Sequence, residues 1–345
     1  MQQASQQSAQ SDVGETGADG ITFSEFADEW LLQQKGRLRP NSYRIYDSYL
    51  RHHIRPRLGD RTLASITVDD VASVVSEMQQ GIRFRANQHT LERTAGDPFA
   101  TPTIFGVITV LSRVFSRACR RGMMTSNPVR QLEGEELPKT KRRDFPALDR
   151  EAIGRLLANT PSRFRAAVAL SVLTGLRQSE LLGLRWQDID GSRELLRVRF
   201  QLDRQGRLVE PKTSASEREV PIPPSLVRML EASRQAAEAR GYGRPTDFVF
   251  ASKIGGPISR RNLMHRGLRR AVELSGLPKL TWHDLRHVAA SALIAEGASV
   301  PYLARILGHS SPTITLAVYA HEFARAEHAE RTRDRMEAAF GELLK

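Results

Sequence analysis

The chain has 345 residues, with 51 Lys plus Arg against 39 Asp plus Glu, a net charge of +12 and one cysteine. That length can bury a core in each of two ordinary domains, and the basic excess, mostly arginine, points to a polyanionic partner. Cys119 alone excludes an internal disulfide and a cysteine metal cluster; no apolar run approaches the ~20 residues of a membrane span, and the polar start has no apolar signal-peptide core.

In chain order, residues 1–20 are small and polar without periodicity, and are expected to be disordered. "ITFSEFADEWLLQQK" has the Ser/Thr start and apolar spacing of a helix, and "RPNSYRIYDSYLRHHIRPRLG" reads as a second one closed by Pro56 and Gly59. "ITVDDVASVVSEMQQ" reads as a third, and Gly81 to Ala100 as a loop. "TPTIFGVITVLSRVFSRACRRG" sets Ile104, Val107, Ile108, Leu111, Val114, Phe115 and Ala118 at helical spacing. Residues 21–132 therefore form a basic helical domain, followed by a charged, proline-containing linker at 133–147.

The second half changes texture. "SRFRAAVALSVLTG" is a buried helix ended by Gly175. "LLRVRF" alternates as a half-buried strand, and "RLVEPKTSASEREVPIP" gives two more short strands around a polar turn. Helices dominate from "PPSLVRMLEASRQAAEAR" onward. The fold class is multidomain and mainly α, a helical domain followed by a mixed α/β domain (148–335), mostly helix with one small antiparallel sheet. A short C-terminal helix occupies 336–345.

Three basic blocks carry candidate chemistry. In "TGLRQSELLGLRWQDID", Arg177 falls where one helix stops and another starts, beside backbone N–H groups that favour an anion, with Glu180 one turn later. In "TWHDLRHVAASAL", helical spacing puts His283, Arg286 and His287 on one face, with Leu285, Val288, Ala289, Ala292 and Leu293 around the other. In "LGHSSPTITLAVYAH", Gly308 breaks a helix, His309 follows, and Tyr319 stands ten residues on in an apolar stretch. Each block alone also fits an ordinary solvated or core role.

Together, Arg177, the "HDLRH" pair His283 and Arg286, His309 in "LGHSS" and Tyr319 in "YAH" resemble the tyrosine recombinase (phage integrase) family in order and spacing. The resemblance covers about Leu148 to His321 closely. Residues 21–130 are similar in position and pattern to that family's SAM-like, core-type DNA-binding domain. It implies a site-specific DNA recombinase whose tyrosine attacks a phosphodiester, leaving a 3′-phosphotyrosyl bond and a free 5′-hydroxyl. No cofactor and no metal are implied. Arg177 and Arg286 would clamp the non-bridging oxygens, and their proximity should lower the pKa of Tyr319. His283 would take the tyrosine proton, and His309 would hydrogen-bond a non-bridging oxygen. Lys212 would protonate the leaving oxygen, with Glu180 and His287 in support.

The implied partners are double-stranded DNA with paired recognition sites, a homotetramer on that DNA and accessory DNA-bending or directionality proteins, in the cytoplasm at the nucleoid. Arg260, Arg261, Arg266, Arg269 and Arg270 in "SRRNLMHRGLRR" offer further DNA contacts or a solvated face. Met336, Ala339, Phe340, Leu343 and Leu344 form a terminal stripe for docking on a neighbour or on their own domain. The start before Ile21 is too short and polar for a separate arm-site DNA-binding domain. An integrase of a mobile element or prophage is the preferred role, and a chromosome-dimer-resolving, Xer-like recombinase the alternative. The "LGHSS" block argues against a type IB topoisomerase. A non-catalytic relative would have lost one of Arg177, His283, Arg286 or Tyr319, and all are present.

Overall fold

The computed structural model describes residues 20–86, 91–139, 145, 148–211 and 214–340. Residues 1–19, where disorder is expected, Lys212, most of 140–147 and residues 341–345, with Leu343 and Leu344 of the terminal stripe, lie outside the described residues. The chain divides into two compact units, Met1–Arg142 and Arg143–Lys345.

The first unit is helical: α1 (Phe23–Gln34), α2 (Pro40–Tyr49), α3 (Arg55–Leu58), α4 (Val68–Gln79) and α5 (Thr101–Arg120). Capping boxes start α1 and α4: Thr22 pairs reciprocally with Glu25, and Thr67 with Asp70. The core joins Phe23, Phe26 and Trp30 of α1 to Val71, Val74 and Met78 of α4 and to α5. On α5 the buried stripe runs as expected except that Val110 is inside and Ile108 only partly so. Pro56 does not end the second helix; a π-helical stretch, Leu50–Ile54, precedes it and places it in the first turn of α3. That position suits a residue without an N–H.

The stretch expected as a loop at 81–100 contains an antiparallel pair, β1 (Arg83–Ala86) with β2 (Leu91–Thr94), in the register Arg83↔Thr94. Four-residue strands are too short for an alternation to stand out in sequence. Arg57 of α3 ties the region to the helices, lying 4.7 Å over the Phe84 ring, and within the region Arg83 lies 4.5 Å over the Phe99 ring.

The second unit runs α6 (Arg150–Asn159), α7 (Ser162–Thr174), α8 (Gln178–Leu182), β3 (Ile189–Asp190), β4 (Leu195–Val198), β5 (Gln201–Leu202), β6 (Leu208–Val209), β7 (Arg218–Pro221), α9 (Pro224–Glu238), α10 (Arg260–Asn262), α11 (Arg270–Leu274), α12 (Trp282–Ala295), α13 (Val300–Leu307) and α14 (Pro312–Phe340). Between α10 and α11 lies a π-helical stretch, Leu263–Arg269. The strands form the antiparallel sheet β3–β4–β7 and a separate ribbon β5–β6, so the two strands expected around the polar turn pair with others rather than with each other. Helix α7 is apolar nearly all round and central, packed on α9 and α12. Its two buried hydroxyls, Ser171 and Thr174, donate to the carbonyls of Ala167 and Leu170. α14 continues unbroken past Arg335 to Phe340, with Met336 and Phe340 exposed. Among the described residues no helix is long and apolar enough to cross a membrane.

Candidate active site

All of the site lies in the second unit. It starts where α7 stops at Gly175, whose φ of +63° is the left-handed conformation that glycine adopts freely. A Cβ there would stand 2.8 Å from Leu307 Cδ2, so the turn also needs the missing side chain. Arg177 then caps α8. Its main-chain N–H donates to Glu180 Oε2 (2.9 Å), its Nη1 to Glu180 Oε1 (2.7 Å) and its Nη2 to the Gly308 carbonyl (2.9 Å). The anion seat expected at this helix start is therefore taken by Glu180, and α8 is only five residues long. Anion binding here rests on guanidinium groups.

Glu180 is 3% exposed. Burial alone would raise its carboxyl, but Arg218, bound at 3.0 and 3.2 Å, and then Arg177 hold it below the usual carboxylate range.

In "HDLRH", Thr281 and Asp284 form the capping box of α12. The expected two-faced helix is corrected: Arg286 and His287 are buried with the apolar residues, His283 is exposed, and so is Ala292. Arg286 tolerates burial because it fills the gap between two helix C-termini. Its Nη1 donates to the Gly175 carbonyl (2.8 Å) and its Nη2 to that of Leu307 (2.7 Å), where peptide dipoles present negative charge. Burial first, and Arg177 second, push its pKa down to about 9, which still leaves it cationic at neutral pH.

Gly308, at φ +66°, ends α13 in the same left-handed way. His309 follows, its Nδ1 2.7 Å from Thr315 Oγ1, and burial with Arg286 and Arg177 lowers its pKa to about 4. The ring is neutral at physiological pH, with Nε2 the nitrogen open to a ligand oxygen.

Tyr319 on α14 is 1% exposed. Its hydroxyl lies 2.7 Å from His287 Nδ1, and the His287 ring stacks on Phe145 with centroids 3.5 Å apart. His283 stands one turn earlier, its ring 4.6 Å from that of His287. The imidazole on the tyrosine is thus His287, the residue expected only in support. The expected fall in the Tyr319 pKa is also reversed. Burial raises it to about 12; Arg286 works against this, and Glu322, one turn along α14, adds to it.

With that geometry in place, comparison with known proteins is direct. Residues 146–325 match the model of the phage integrase family, and residues 22–79 that of the phage integrase N-terminal SAM-like domain. The chain belongs to the phage integrase family. Among its relatives, a "Tyrosine recombinase XerC-like" protein of Caldanaerobacter subterraneus subsp. tengcongensis is 26% identical over 328 residues, covering 87% of this chain and 79% of the relative. The integrase of Mycobacterium phage L5 is 27% identical over 315 residues, covering 90% and 78%. In fold, the integrase of transposon Tn1549, solved in complex with transposon right end DNA, superimposes with a TM-score of 0.75 at 21% identity, covering 91% of this chain and 99% of that one. The protein is a site-specific DNA recombinase of the tyrosine class.

The other basic residues of this recombinase divide. Arg260 donates to the Leu202 carbonyl, and Arg269 pairs with Glu273 along its own helix. Arg260 and Arg261 line an open groove with Gln178, His265 and His283, while Arg266 and Arg270 are simply exposed. Among the described residues no group of three metal-ligating side chains is assembled. Sequence reasoning missed Arg218, Thr315, Glu322 and Phe145. Only Arg218 carried a signal: alternation along β7 puts it on the buried face with Val220, an unusual place for a charge.

Proposed function

We propose that this recombinase cleaves DNA through Tyr319 and integrates or excises a mobile element. The supporting observation is the convergence of Arg177, Arg286, His309 and Tyr319, drawn from distant stretches of sequence, around the carbonyl end of α13. The guanidinium groups of Arg177 and Arg286 match the two non-bridging oxygens of a phosphodiester. His309 adds a neutral donor through Nε2. Together they stabilise the extra negative charge of the pentacoordinate transition state.

In the step itself, Tyr319 Oη bonds to phosphorus, the P–O5′ bond breaks, and the tyrosine proton passes to an imidazole. In the resting arrangement the imidazole in hydrogen-bond contact with the hydroxyl is that of His287. His283, the exposed member of the pair, takes the role once the hydroxyl leaves its pocket for the phosphate. Lys212 supplies the proton to the departing 5′-oxygen. The reverse step, with a 5′-hydroxyl from a partner strand, restores Tyr319. A tyrosine that is 1% exposed cannot meet DNA, so duplex binding has to turn Tyr319 outward. Two duplexes exchanging all strands need four tyrosines, which is the basis for a homotetramer on paired DNA sites.

The test is a pool of nicked duplexes from DNA flanking the encoding gene, in which a cleaved end diffuses away and traps the intermediate. The wild type yields a covalent protein–DNA adduct on a denaturing gel and Tyr319→Phe yields none. Binding without an adduct would overturn the catalytic reading.

A further inference from the structure

The carbonyl end of α13 is held in a regular way. Three successive carbonyls each accept from a different arginine: Ile306 from Arg218 Nε (2.6 Å), Leu307 from Arg286 Nη2 (2.7 Å) and Gly308 from Arg177 Nη2 (2.9 Å). The first of these guanidiniums does not face the phosphate seat. The Arg218 side chain is 3% exposed and makes a two-pronged pair with Glu180 at 3.0 and 3.2 Å, with a further bond to the Ser216 carbonyl at 3.0 Å. Glu180 then uses the same two oxygens to grip Arg177, through its guanidinium and through its main-chain N–H. Arg218 also lies directly under the turn, since a Cβ on Gly308 would be 2.7 Å from its Nη1.

We propose that Arg218 is a positioning residue of the cleavage site: it fixes Glu180, and through Glu180 the reach of Arg177, while pinning the turn that carries His309. This rests on the reading of Arg177 and His309 as phosphate-holding groups. Its physical content is that a buried carboxylate stays ionised only while cations pair with it directly. The charged groups facing Glu180 are Arg177 on its own element, Arg218 from β7 and Arg286 from α12. Without Arg218, Glu180 keeps one direct partner, loses the largest pull that offsets its burial, takes up a proton at higher pH than in the wild type, and lets Arg177 swing.

A merely structural buried pair behaves differently, because apolar replacement of both partners is often tolerated. The experiment uses the full chain and the nicked duplex that gives an adduct, with Arg218→Met, Arg218→Lys and Arg218→Met/Glu180→Leu. Arg218→Met should lower the single-turnover cleavage rate by about 10²-fold, the effect expected of a displaced positioning group, with DNA affinity unchanged. The acid limb of its pH–rate profile should lie at higher pH than the wild type's, because protonation of Glu180 adds to that of the histidine that takes the tyrosine proton. Arg218→Lys keeps the charge and should recover part of the rate with the wild-type profile. The double variant should stay as slow as Arg218→Met. A double variant that cleaves like the wild type, or an Arg218→Met profile whose acid limb lies where the wild type's does, overturns the proposal.

A DNA-free readout separates this from the reading of function. In the wild-type protein the Arg177 side-chain ¹⁵N resonance should hold its position down to pH 5, and in Arg218→Met it should move as Glu180 titrates. No movement in the variant overturns the proposal even if no duplex is ever cleaved. Movement with no cleavage by the wild type would overturn the assigned chemistry alone.

Discussion

Replacing Arg286 by methionine should slow cleavage severely while leaving the fold almost as stable as before. The guanidinium satisfies two buried carbonyls, Gly175 and Leu307. A buried acceptor left without a donor costs roughly 1–3 kcal/mol, so the loss is roughly 2–6 kcal/mol. Against this stands the cost of keeping a third positive charge in a dry cluster with Arg177 and Arg218. The pKa falls from 12.5 to about 9, and at ~1.36 kcal/mol per pH unit that amounts to about 5 kcal/mol of disfavour towards the cation. The two nearly cancel, and methionine fills most of the vacated space, so urea denaturation should find Arg286→Met within about 2 kcal/mol of the wild type. Adduct formation should fall by about 10²–10³-fold, as for loss of one transition-state donor. The reasoning fails if the variant loses more than about 4 kcal/mol of stability, or if it cleaves within about threefold of the wild type.

Other outcomes follow from the same structure. His309 and His53 are both held near pKa 4 in the fold, against 6.5 ordinarily, chiefly by burial. The unfolded chain therefore binds protons first, and stability is full above about pH 6.5 and declines as pH falls towards 4. Melting temperatures against pH should show this slope in the wild type and a shallower one in His309→Gln and in His53→Gln; parallel curves would contradict it. Glu322 raises the Tyr319 pKa, and its Oε2 is buried with no hydrogen-bond partner. Glu322→Gln should speed cleavage at pH 7 by up to about tenfold, one pH unit in the tyrosine being worth that much; a slower variant would refute the assignment. Gly308→Ala combines a left-handed φ with a Cβ at 2.7 Å from Arg218, so it should lose about 1–3 kcal/mol in thermal unfolding and cleave more slowly. Wild-type behaviour in both would show that the turn is not under this constraint.

Much of this site is legible in the sequence because its chemistry sits at breaks in helices. Gly175 and Gly308 announce the two turns, and Arg177 and His309 follow each by one or two residues. What remains hidden is long-range. Spacing puts His283 and His287 on one face of α12, but only the approach of α14 decides which of them meets Tyr319. Burial of the tyrosine, which outweighs the pull of Arg286 on its proton, is likewise a product of packing between helices. Arg218 is unusual on the inner face of a strand, yet what makes it tolerable is Glu180, on another element. In the first unit, the π-helical stretch before Pro56 and the four-residue strands leave no periodic trace, so a continuous helix closed by that proline and a loop were the natural expectations there.

The measurement that bears most directly on the central claim is the position and polarity of the covalent bond. The adduct trapped on a nicked duplex would be digested and its peptides mapped by mass spectrometry, with the DNA end typed chemically. Six tyrosines are present in the chain. The account predicts a 3′-phosphate joined to the peptide that carries Tyr319 and a free 5′-hydroxyl on the departing strand. A bond to any other residue, or a 5′-phosphate linkage, would contradict it.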